Sequence, residues 1–449
     1  RCTVERRRDT LALAAAGAAA AAAPALGRAQ PGAAKTLRVV FPVAETGFDP
    51  VRISDVYSAT VNTHIFDSLY AFDYLARPVK LKPRVAAGMP EHSADHRVWT
   101  LRIRPGIFFA DDPAFKGQRR ELTAQDQVYA LERFADLANT SPNWPSVAEW
   151  RIVGLAALRE RALKDKKPFD YDASVEGLRT LDRHTLQITL ERPLPRFAEN
   201  FTLAQSVGAL VAREVVEFYG DKIMEHPVGT GPFRLASWRR SSRIVLERNP
   251  NYRQERWDAE PAPDDAEGQA ILRRMKGRRI PCVDRVEVSI VEEAQPRWLS
   301  FVNGQCDVLP VPQEFGPTAM PGGKLAPNLV KRGVQAWRLM TATTQLSFFN
   351  MEHPVVGGNA PHQVALRRAV FLSMDLPREI DLVFRGMGIP AQSQIPPYCS
   401  GYDPAFKSEN SDHDPARARA LLDLYGWVDR DGDGWREQPD GQPLVIECA

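Results

Sequence analysis

Residues Pro227–Tyr252 read PVGTGPFRLASWRRSSRIVLERNPNY, and the remaining segments of the chain can be placed around them. Gly229 and Gly231 permit backbone angles that are closed to other residues, while Pro232 fixes its own φ and favours an extended residue before it. We therefore predict a sharp turn that leads into a β-hairpin. Its parts, in order, are the strand Phe233–Trp238, the turn Ser241-Ser242, the strand Arg243–Glu247 and the break at Asn249-Pro250.

The composition is that of a soluble globular protein, with 44% hydrophobic and 25% charged residues. A chain of 449 residues is too long for one simple core and indicates two or three lobes. The formal net charge is +2, but residues 1–29 contribute five arginines and two acidic residues, so the rest of the chain has a net charge of −1. This balance argues against nucleic acid as a partner, because no basic excess is available for phosphates.

Residues 1–29 have the pattern of an export signal. The basic residues Arg6–Arg8 precede the alanine-rich run Leu11–Leu26, and Gly27-Arg28-Ala29 offers a small-x-small cleavage site. A membrane anchor is the alternative, but the run is short and alanine is weakly hydrophobic. The twin-arginine and the ordinary secretion routes both stay open. Cys2 precedes the apolar run, which is the wrong place for lipoprotein cleavage, so we expect a soluble periplasmic protein.

Four cysteines follow the export segment, namely Cys282, Cys306, Cys399 and Cys448. An oxidising compartment permits disulfides. Cys282–Cys306 is one candidate pair, but the sequence does not rank it against the other pairings. Buried free thiols are the alternative for each cysteine. None of the four has the C-x-x-C spacing of a metal site.

Other segments carry clear local patterns. Thr123–Leu137 (TAQDQVYALERFADL) predicts an amphipathic helix that Thr123 and Asp126 cap. The polar segment Asp258–Arg279 is predicted to be irregular. Alternating or continuous apolar residues predict strands at Val98–Arg104, within Gly177–Leu190 as a pair, at Val283–Val291, at Leu346–Asn350 and at Leu444–Glu447.

Common motifs of catalysis are missing from the chain, and one segment imitates a metal site. The chain has no H-E-x-x-H, no G-x-S-x-G, no P-loop and no dinucleotide-binding glycine fingerprint, which weakens an enzymatic function without excluding it. We predict a protein that is not an enzyme and needs no cofactor. Asp429, Asp431, Asp433 and Asp440 imitate the spacing of a calcium loop. We interpret them as an Asp/Gly turn and predict no metal, because the strand predicted at Leu444–Glu447 is not the second helix of such a loop.

The stretch at the centre of the chain resembles the signature of the family 5 extracellular solute-binding proteins, the receptors of peptide-type ABC importers. In this family a P-x-GTGP-[YF] turn is followed by a tryptophan, a basic strand and N-x-x-Y. The matching positions are Pro227, Gly229, Thr230, Gly231, Pro232, Phe233, Trp238, Asn249 and Tyr252. Further family patterns match in the family's order within Trp99–Phe109, Thr123–Arg133, Leu366–Ile380 and Asp414–Trp427, so the resemblance covers roughly Thr36 to the end of the chain.

The resemblance implies an α/β fold, namely a two-lobed periplasmic binding protein of type II, cluster C-like, with an extra subdomain in the first lobe. We expect residues 36–75 and 181–291 to form lobe I, residues 76–180 to form the inserted subdomain, and residues 294–449 to belong to lobe II. Members of the family continue beyond the position that corresponds to Ala449. We therefore expect lobe II to be truncated here, without the segment whose aspartate receives the ligand's α-amino group.

The implied function is that of a receptor that captures a ligand between its lobes by hinge closure and delivers it to the permease of an inner-membrane ABC transporter. Short peptides are the default ligand, and we expect a monomer. A non-peptide solute on the same scaffold, such as a metal chelate, haem, opine or sugar, remains the first alternative. An exported hydrolase is a more distant one.

Eight residues are predicted to contact the ligand. They are Glu45, Thr46 and Phe48 in the loop after the first strand, Tyr57 in the next helix, and Ser347, Phe348, Phe349 and Asn350 in a strand between the lobes. Glu45 would meet a ligand amine, Asn350 would bind main-chain groups, and the aromatic rings would cover side chains. Packing or loop structure is the alternative role for each of the eight.

Overall fold

A computed structural model describes residues 34–447 of the chain. The predicted export segment, residues 1–29, and Cys448 lie outside the described residues. The strands, in chain order, are β1 Thr36–Phe41, β2 Tyr70–Phe72, β3 Leu81–Pro83, β4 Glu91–His92, β5 Val98–Arg102, β6 Leu178–Asp182, β7 Thr185–Thr189, β8 Phe233–Arg239, β9 Arg243–Arg248, β10 Glu255–Arg256, β11 Arg279–Ile280 and β12 Arg285–Ile290.

The α-helices, in chain order, are α1 Val56–Ile65, α2 Ala124–Ala135, α3 Trp144–Glu149, α4 Leu155–Asp165, α5 Arg213–Tyr219, α6 Ala266–Met275, α7 Ala294–Val302, α8 Gly316–Ala319, α9 Pro327–Lys331, α10 Pro361–Ser373, α11 Leu376–Leu382 and α12 Pro415–Leu424. Within residues 34–447, none of these helices combines the length and the apolar character that a membrane span requires.

The predicted hairpin supplies two strands of the central sheet, whose order is β1-β12-β9-β8. β8 and β9 pair antiparallel, with a shift of register between Leu235 and Ser237, and β12 pairs antiparallel with β9. β1 joins the other edge of β12 in parallel, so Thr36 lies opposite Arg285. Apolar side chains from β1, α1, β8, β9 and β12 pack together beside this sheet. The strand predictions for the hairpin and for Val283–Val291 are confirmed.

The turn before β8 packs directly against the end of α1. Gly231 N donates a hydrogen bond to Ile65 O at 2.8 Å. A Cβ atom on Gly229 would lie 2.1 Å from the same oxygen, so only glycine permits this approach of two backbones. Thr230 Oγ1 donates to Asp67 Oδ2 at 2.9 Å. The signature turn is therefore a junction between the hairpin and α1.

Asp67 also holds two arginines beneath this junction. Its carboxylate is fully buried and lies 2.7 Å from Arg253 Nη1 and 2.8 Å from Arg84 Nε. Burial favours the neutral form of Asp67, but the two guanidinium groups outweigh it and hold its pKa below the usual range. Arg253, the residue that follows Tyr252, thus connects the stretch Pro227–Tyr252 with a buried ion-pair network.

A second sheet, of order β4-β5-β7-β6, is antiparallel throughout, as the strand predictions for this region require. Helix α2 contributes to the same large hydrophobic core as β5 and β7. Thr123 N and Thr123 Oγ1 both donate to Asp126 Oδ2, at 2.7 and 2.9 Å, which confirms the predicted cap of α2. The division of the chain into lobe I, subdomain and lobe II stays a prediction.

Three predictions of local structure are wrong. Leu346–Asn350 and Leu444–Glu447 form no strand, because among residues 34–447 no other strand offers them a ladder of backbone hydrogen bonds. The pattern of apolar residues is not enough without that partner. Asp258–Arg279 is irregular only in part, since it contains α6 and ends on the first residue of β11. Asp265 caps α6 by accepting a hydrogen bond from Gly268 N at 2.9 Å. Arg273 and Arg274 lie in the last turn of α6, where their positive charges stabilise the negative end of the helix dipole.

The three cysteines within the described residues are free, so the candidate Cys282–Cys306 disulfide is not formed. Cys306 is buried, as expected for an unreactive thiol, whereas Cys282 is exposed and Cys399 is half-buried.

Glu132 on α2 is a buried acid that forms no ion pair with the part of the chain that the structure describes. Its side chain is 2% exposed, and its Oε2 has no hydrogen-bond partner among the described residues. Burial raises the pKa of Glu132 to about 8, although the positive charge of Arg213 opposes the change. The folded protein therefore binds this proton more tightly than the unfolded chain, whose glutamate has the ordinary pKa.

Replacing Glu132 with Gln is expected to stabilise the protein in a pH-dependent way. The stability that the protonated acid provides is complete below pH 4.5, its ordinary pKa, and is lost as the pH rises to about 8. Chemical denaturation should show little difference between Glu132→Gln and the parent at pH 4.5, and a gain on the order of 2–4 kcal/mol at pH 8. Glu160→Gln, on the exposed face of α4, is the control. A gain that does not change with pH would contradict the expectation.

Candidate functional site

The loop after β1 lies against the turn of the central hairpin, and Glu45 makes the contact. Its side chain is buried, with 4% exposure. Oε1 accepts hydrogen bonds from Trp238 Nε1 at 2.5 Å and from Ser241 N at 3.0 Å. The signature hairpin thus positions the carboxylate that the sequence analysis proposed as a ligand contact.

The second oxygen of this carboxylate is unused. Glu45 Oε2 is buried and has no hydrogen-bond partner, and within residues 34–447 no lysine, arginine or histidine forms an ion pair with Glu45. Arg240, in the turn of the hairpin, lies over the Trp238 ring and donates to Thr46 O at 2.9 Å. A buried carboxylate that only neutral donors hold is costly, so the site favours an additional positive group.

Thr46 fastens the same loop to the start of α1. Its Oγ1 donates to Asp55 Oδ2 at 2.6 Å, and its N donates to Ser58 Oγ at 3.0 Å. Asp55 caps α1 by accepting from Tyr57 N and Ser58 N. Burial acts to raise the pKa of Asp55, but the hydrogen bonds from Ser58 and Thr46 outweigh it and lower that pKa. Thr46 therefore has a structural role in this loop.

The two predicted aromatic residues of this region differ in exposure. Phe48 is fully buried, and its ring meets that of Trp238 edge-on at 4.9 Å between centroids. Tyr57 is half-exposed, with its ring 5.0 Å from Phe41. Phe48 thus supports the hairpin from the core, whereas Tyr57 is partly accessible to solvent.

A buried ion pair that the sequence analysis missed anchors the far end of the loop. Asp49 and Arg133 of α2 form two parallel hydrogen bonds of 2.7 and 2.8 Å, and both side chains are almost fully buried. The signal in the sequence was an aspartate in the loop and an arginine on the amphipathic helix α2. Sequence reasoning had no means of joining two residues that lie 84 positions apart.

The other four predicted site residues are separate from this loop. Ser347, Phe348 and Asn350 are exposed, and Phe349 is half-buried with its ring 5.4 Å from that of Phe371. Asn350 Oδ1 accepts from Glu352 N at 3.0 Å, which closes a local turn. Within residues 34–447, no hydrogen bond, ion pair or ring contact joins these four residues to the loop after β1.

The structure therefore brings Glu45, Thr46, Phe48 and Tyr57 together and leaves Ser347–Asn350 apart. Trp238, Arg240 and Ser241 belong to the site as well and were missed. All three lie in the stretch that carried the family resemblance, but the pattern of a hairpin does not say which loop its turn will touch.

The Asp/Gly segment near the carboxyl end brings carboxylate oxygens of Asp429, Asp431, Asp433 and Glu437 within 4.8 Å of one another. Each of them accepts a hydrogen bond from a backbone N–H of the same segment, for example Asp429 Oδ1 from Gly432 N at 2.7 Å. Asp440 is outside the cluster and accepts from Gln442 N at 3.0 Å. These bonds build the turn that the sequence predicted.

Comparisons with known proteins relate the chain to binding proteins. A sequence profile described as bacterial extracellular solute-binding proteins, family 5 Middle, matches residues 80–448. Di/tripeptide-binding protein 2 of Pseudomonas aeruginosa (strain UCBPP-PA14) is 25% identical over 407 residues, which are 89% of this chain and 64% of that protein. The chain thus spans less than two-thirds of this relative's length.

Two solved structures are similar in fold. Burkholderia pseudomallei OppA has a TM-score of 0.62 and 20% identity, with 88% of this chain and 67% of that chain covered. NikZ from Campylobacter jejuni in complex with Ni(L-His) has a TM-score of 0.62 and 17% identity, with 91% of this chain and 66% of that chain covered. The likeness confirms the predicted α/β fold class of the two-lobed binding proteins.

Proposed function

The chain belongs to the family 5 bacterial extracellular solute-binding proteins, and we propose that it captures short peptides between two lobes and delivers them to an ABC importer. The name of the Pseudomonas aeruginosa relative, a di/tripeptide-binding protein, supports peptides as the ligand. A periplasmic location, a monomeric state and an inner-membrane permease as the partner are parts of the same proposal. So is the assignment of residues 36–75 and 181–291 to one lobe and of residues from 294 onward to the other.

The observation that carries the proposal is the buried carboxylate of Glu45. Its Oε1 is held by Trp238 and Ser241, while its Oε2 lacks any partner among the described residues. A peptide carries a positively charged amine, and a hydrogen bond between charged groups is stronger than one between neutral groups. We assign Glu45 to the amine of the ligand. Tyr57 and Phe348, whose rings are accessible, would cover ligand side chains, and Asn350 would bind its main chain.

In the proposed function the protein binds its ligand and closes its two lobes around it, and it does not catalyse a reaction. Ligand shifts the balance between open and closed forms only through its preference for the closed one. Closure buries the ligand between the lobes, so recognition and the change of shape that the transporter senses are one event.

Native mass spectrometry of the exported protein, isolated without refolding, tests the ligand class. A distribution of additional masses that fragment as peptides is expected. The contrasting result is a single non-peptide mass, which would replace peptides by another solute. NikZ, of the same fold, holds Ni(L-His), so a metal chelate is the second candidate.

Replacing Glu45 with Gln is expected to weaken the binding of dipeptides and tripeptides by about 10- to 100-fold, because a charge-assisted hydrogen bond contributes about 1.5–3 kcal/mol. Isothermal titration calorimetry measures the change. N-acetylation of the peptide should weaken binding to the parent and have little further effect on Glu45→Gln. Glu160→Gln is the matched control and should bind as the parent does. Equal affinity of Glu45→Gln and the parent would remove Glu45 from the proposed site.

A further inference from the structure

Arg240, in the turn of the central hairpin, pairs with no acid within residues 34–447. The stretch Pro227–Tyr252 contains five arginines. Three of them form ion pairs, namely Arg234 with Glu247, Arg243 with Glu287 and Arg248 with Asp284. Arg239 stays at the turn, where its Nε donates to Ser242 Oγ at 3.1 Å. Arg240 reaches out of the hairpin and contacts the loop after β1.

Two contacts fix the side chain of Arg240, although the residue is exposed. Its Cζ lies 5.3 Å from the centroid of the Trp238 ring, and its Nη2 donates to Thr46 O at 2.9 Å. A long side chain loses rotamer freedom when it binds an anion, and that loss opposes binding. Because these contacts already hold the guanidinium in place, the cost of ordering it is reduced.

The guanidinium of Arg240 keeps one edge free for a carboxylate. Its Nε and Nη1 form no hydrogen bond within the described part of the chain, and Thr46 O takes one of the two hydrogens of Nη2. Each edge that can hold both oxygens of a carboxylate combines Nη2 with one of the other two nitrogens. Whichever hydrogen Thr46 O takes, one such edge therefore stays complete.

Arg240 and Glu45 lie against the same indole ring. Glu45 Oε1 accepts from Nε1 at the edge of the Trp238 ring, while Arg240 lies over the face of that ring. Thr46, whose carbonyl accepts from Arg240, follows Glu45 in the chain. The two charged groups form no ion pair with each other, so each keeps its charge for another group. One ring separates them, and two extended residues, which span roughly 7 Å, can bridge such a gap.

Asp55 is the other acid beside Thr46, and its carboxylate is already engaged. Oδ1 accepts from Tyr57 N and Ser58 N at the start of α1, and Oδ2 accepts from Thr46 Oγ1 at 2.6 Å. The positive end of the helix dipole also offsets this negative charge. Asp55 therefore supplies no ion pair to Arg240, and its repulsion of an approaching carboxylate is reduced.

We propose that Arg240 binds the terminal carboxylate of the same peptide whose amine binds to Glu45. The inference rests on the proposed function and adds a limit on the ligand. Both termini of the peptide must be free, and one molecule must reach both charges. The ligands are then very short zwitterionic peptides, with dipeptides foremost, because a longer extended peptide places its carboxylate beyond Arg240.

Isothermal titration calorimetry with dialanine and its C-terminal amide tests the role of Arg240. Arg240→Gln is expected to weaken the binding of dialanine about tenfold, because a charge-assisted hydrogen bond is lost. Amidation should weaken binding to the parent by a similar factor and have little further effect on Arg240→Gln. Tetraalanine should bind the parent less tightly than dialanine does, and Arg240→Gln should reduce this difference.

Arg239→Gln is the matched control, since it removes the same charge from the neighbouring position, and it should bind dialanine as the parent does. Circular dichroism establishes that each variant is folded. Equal losses in both variants, or an equal effect of amidation on Arg240→Gln and the parent, would overturn the role of Arg240 and leave peptides as the ligands. Arginine-dependent binding of alanyl-aspartate amide, as tight as that of dialanine, would assign Arg240 to side chains and overturn it too. A parent that binds none of these peptides would contradict the proposed function itself, and this inference with it.

Discussion

Replacing Asp49 with Asn is expected to lower the free energy of unfolding by about 3–5 kcal/mol, because it leaves the guanidinium of Arg133 buried without a counter-charge. The two side chains are 0% and 2% exposed and share two hydrogen bonds of 2.7 and 2.8 Å. Water cannot replace the lost carboxylate at this depth. Denaturation by urea, followed by tryptophan fluorescence at neutral pH, measures the change. Since the loop that Asp49 anchors carries Glu45, peptide affinity should fall as well.

A double substitution separates the cost of leaving one buried charge unpaired from the loss of the interaction between Asp49 and Arg133. Asp49→Leu with Arg133→Met removes both charges, and with them the cost of burying an unpaired ion. It should therefore be less destabilising than the sum of the two single changes, which gives a coupling energy in a double-mutant cycle. Arg192 and Glu149 form an exposed pair at 2.8 Å, and Glu149→Gln is the control that should change stability little. Additive losses at Asp49 and Arg133 would show that the pair is not coupled.

Replacing Gly229 with Ala is expected to cost about 3–5 kcal/mol, the range in which overpacking and broken hydrogen bonds add. The added Cβ would lie 2.1 Å from Ile65 O and 2.9 Å from the Cα of Phe66, and both neighbours are backbone atoms that cannot rotate away. The hairpin and the end of α1 must move apart, which also breaks the hydrogen bond from Gly231 N to Ile65 O. The same denaturation experiment, together with the thermal midpoint, reports the loss.

Two other glycines serve as controls for this change. No heavy atom lies within 4 Å of a Cβ built on Gly88, so Gly88→Ala should leave stability nearly unchanged. Gly106 has a φ of +79° with open space around it, so Gly106→Ala reports the cost of backbone conformation alone, about 1 kcal/mol. If Gly229→Ala were no worse than Gly106→Ala, close approach of the two backbones would not be the reason for glycine at position 229.

Much of the local structure follows from the sequence because its causes are local. The alternation in Phe233–Trp238 and Arg243–Glu247 makes β8 and β9, and the side chain of Asp126 caps α2 from three residues away. The failure at Leu346–Asn350 has the opposite cause. A strand exists only where another strand accepts its backbone hydrogen bonds, and apolar residues in Leu346–Asn350 carry no information about that partner.

The candidate site also has one part that the sequence could predict and one part that only the tertiary structure shows. The resemblance was enough to choose Glu45 and its loop, since a family pattern places that loop after the first strand. Only the tertiary structure decided that Trp238 and Ser241 hold one oxygen of Glu45 and leave the other free, and that Arg133 anchors Asp49. These contacts join residues 84 to 196 positions apart. By itself the sequence determined the hairpin, the capped helix α2 and the family. The pairing of distant polar groups depends on the path of the whole chain. A charged group needs a partner because the fold buries it, and the spacing of residues along the sequence does not show which groups the fold brings together.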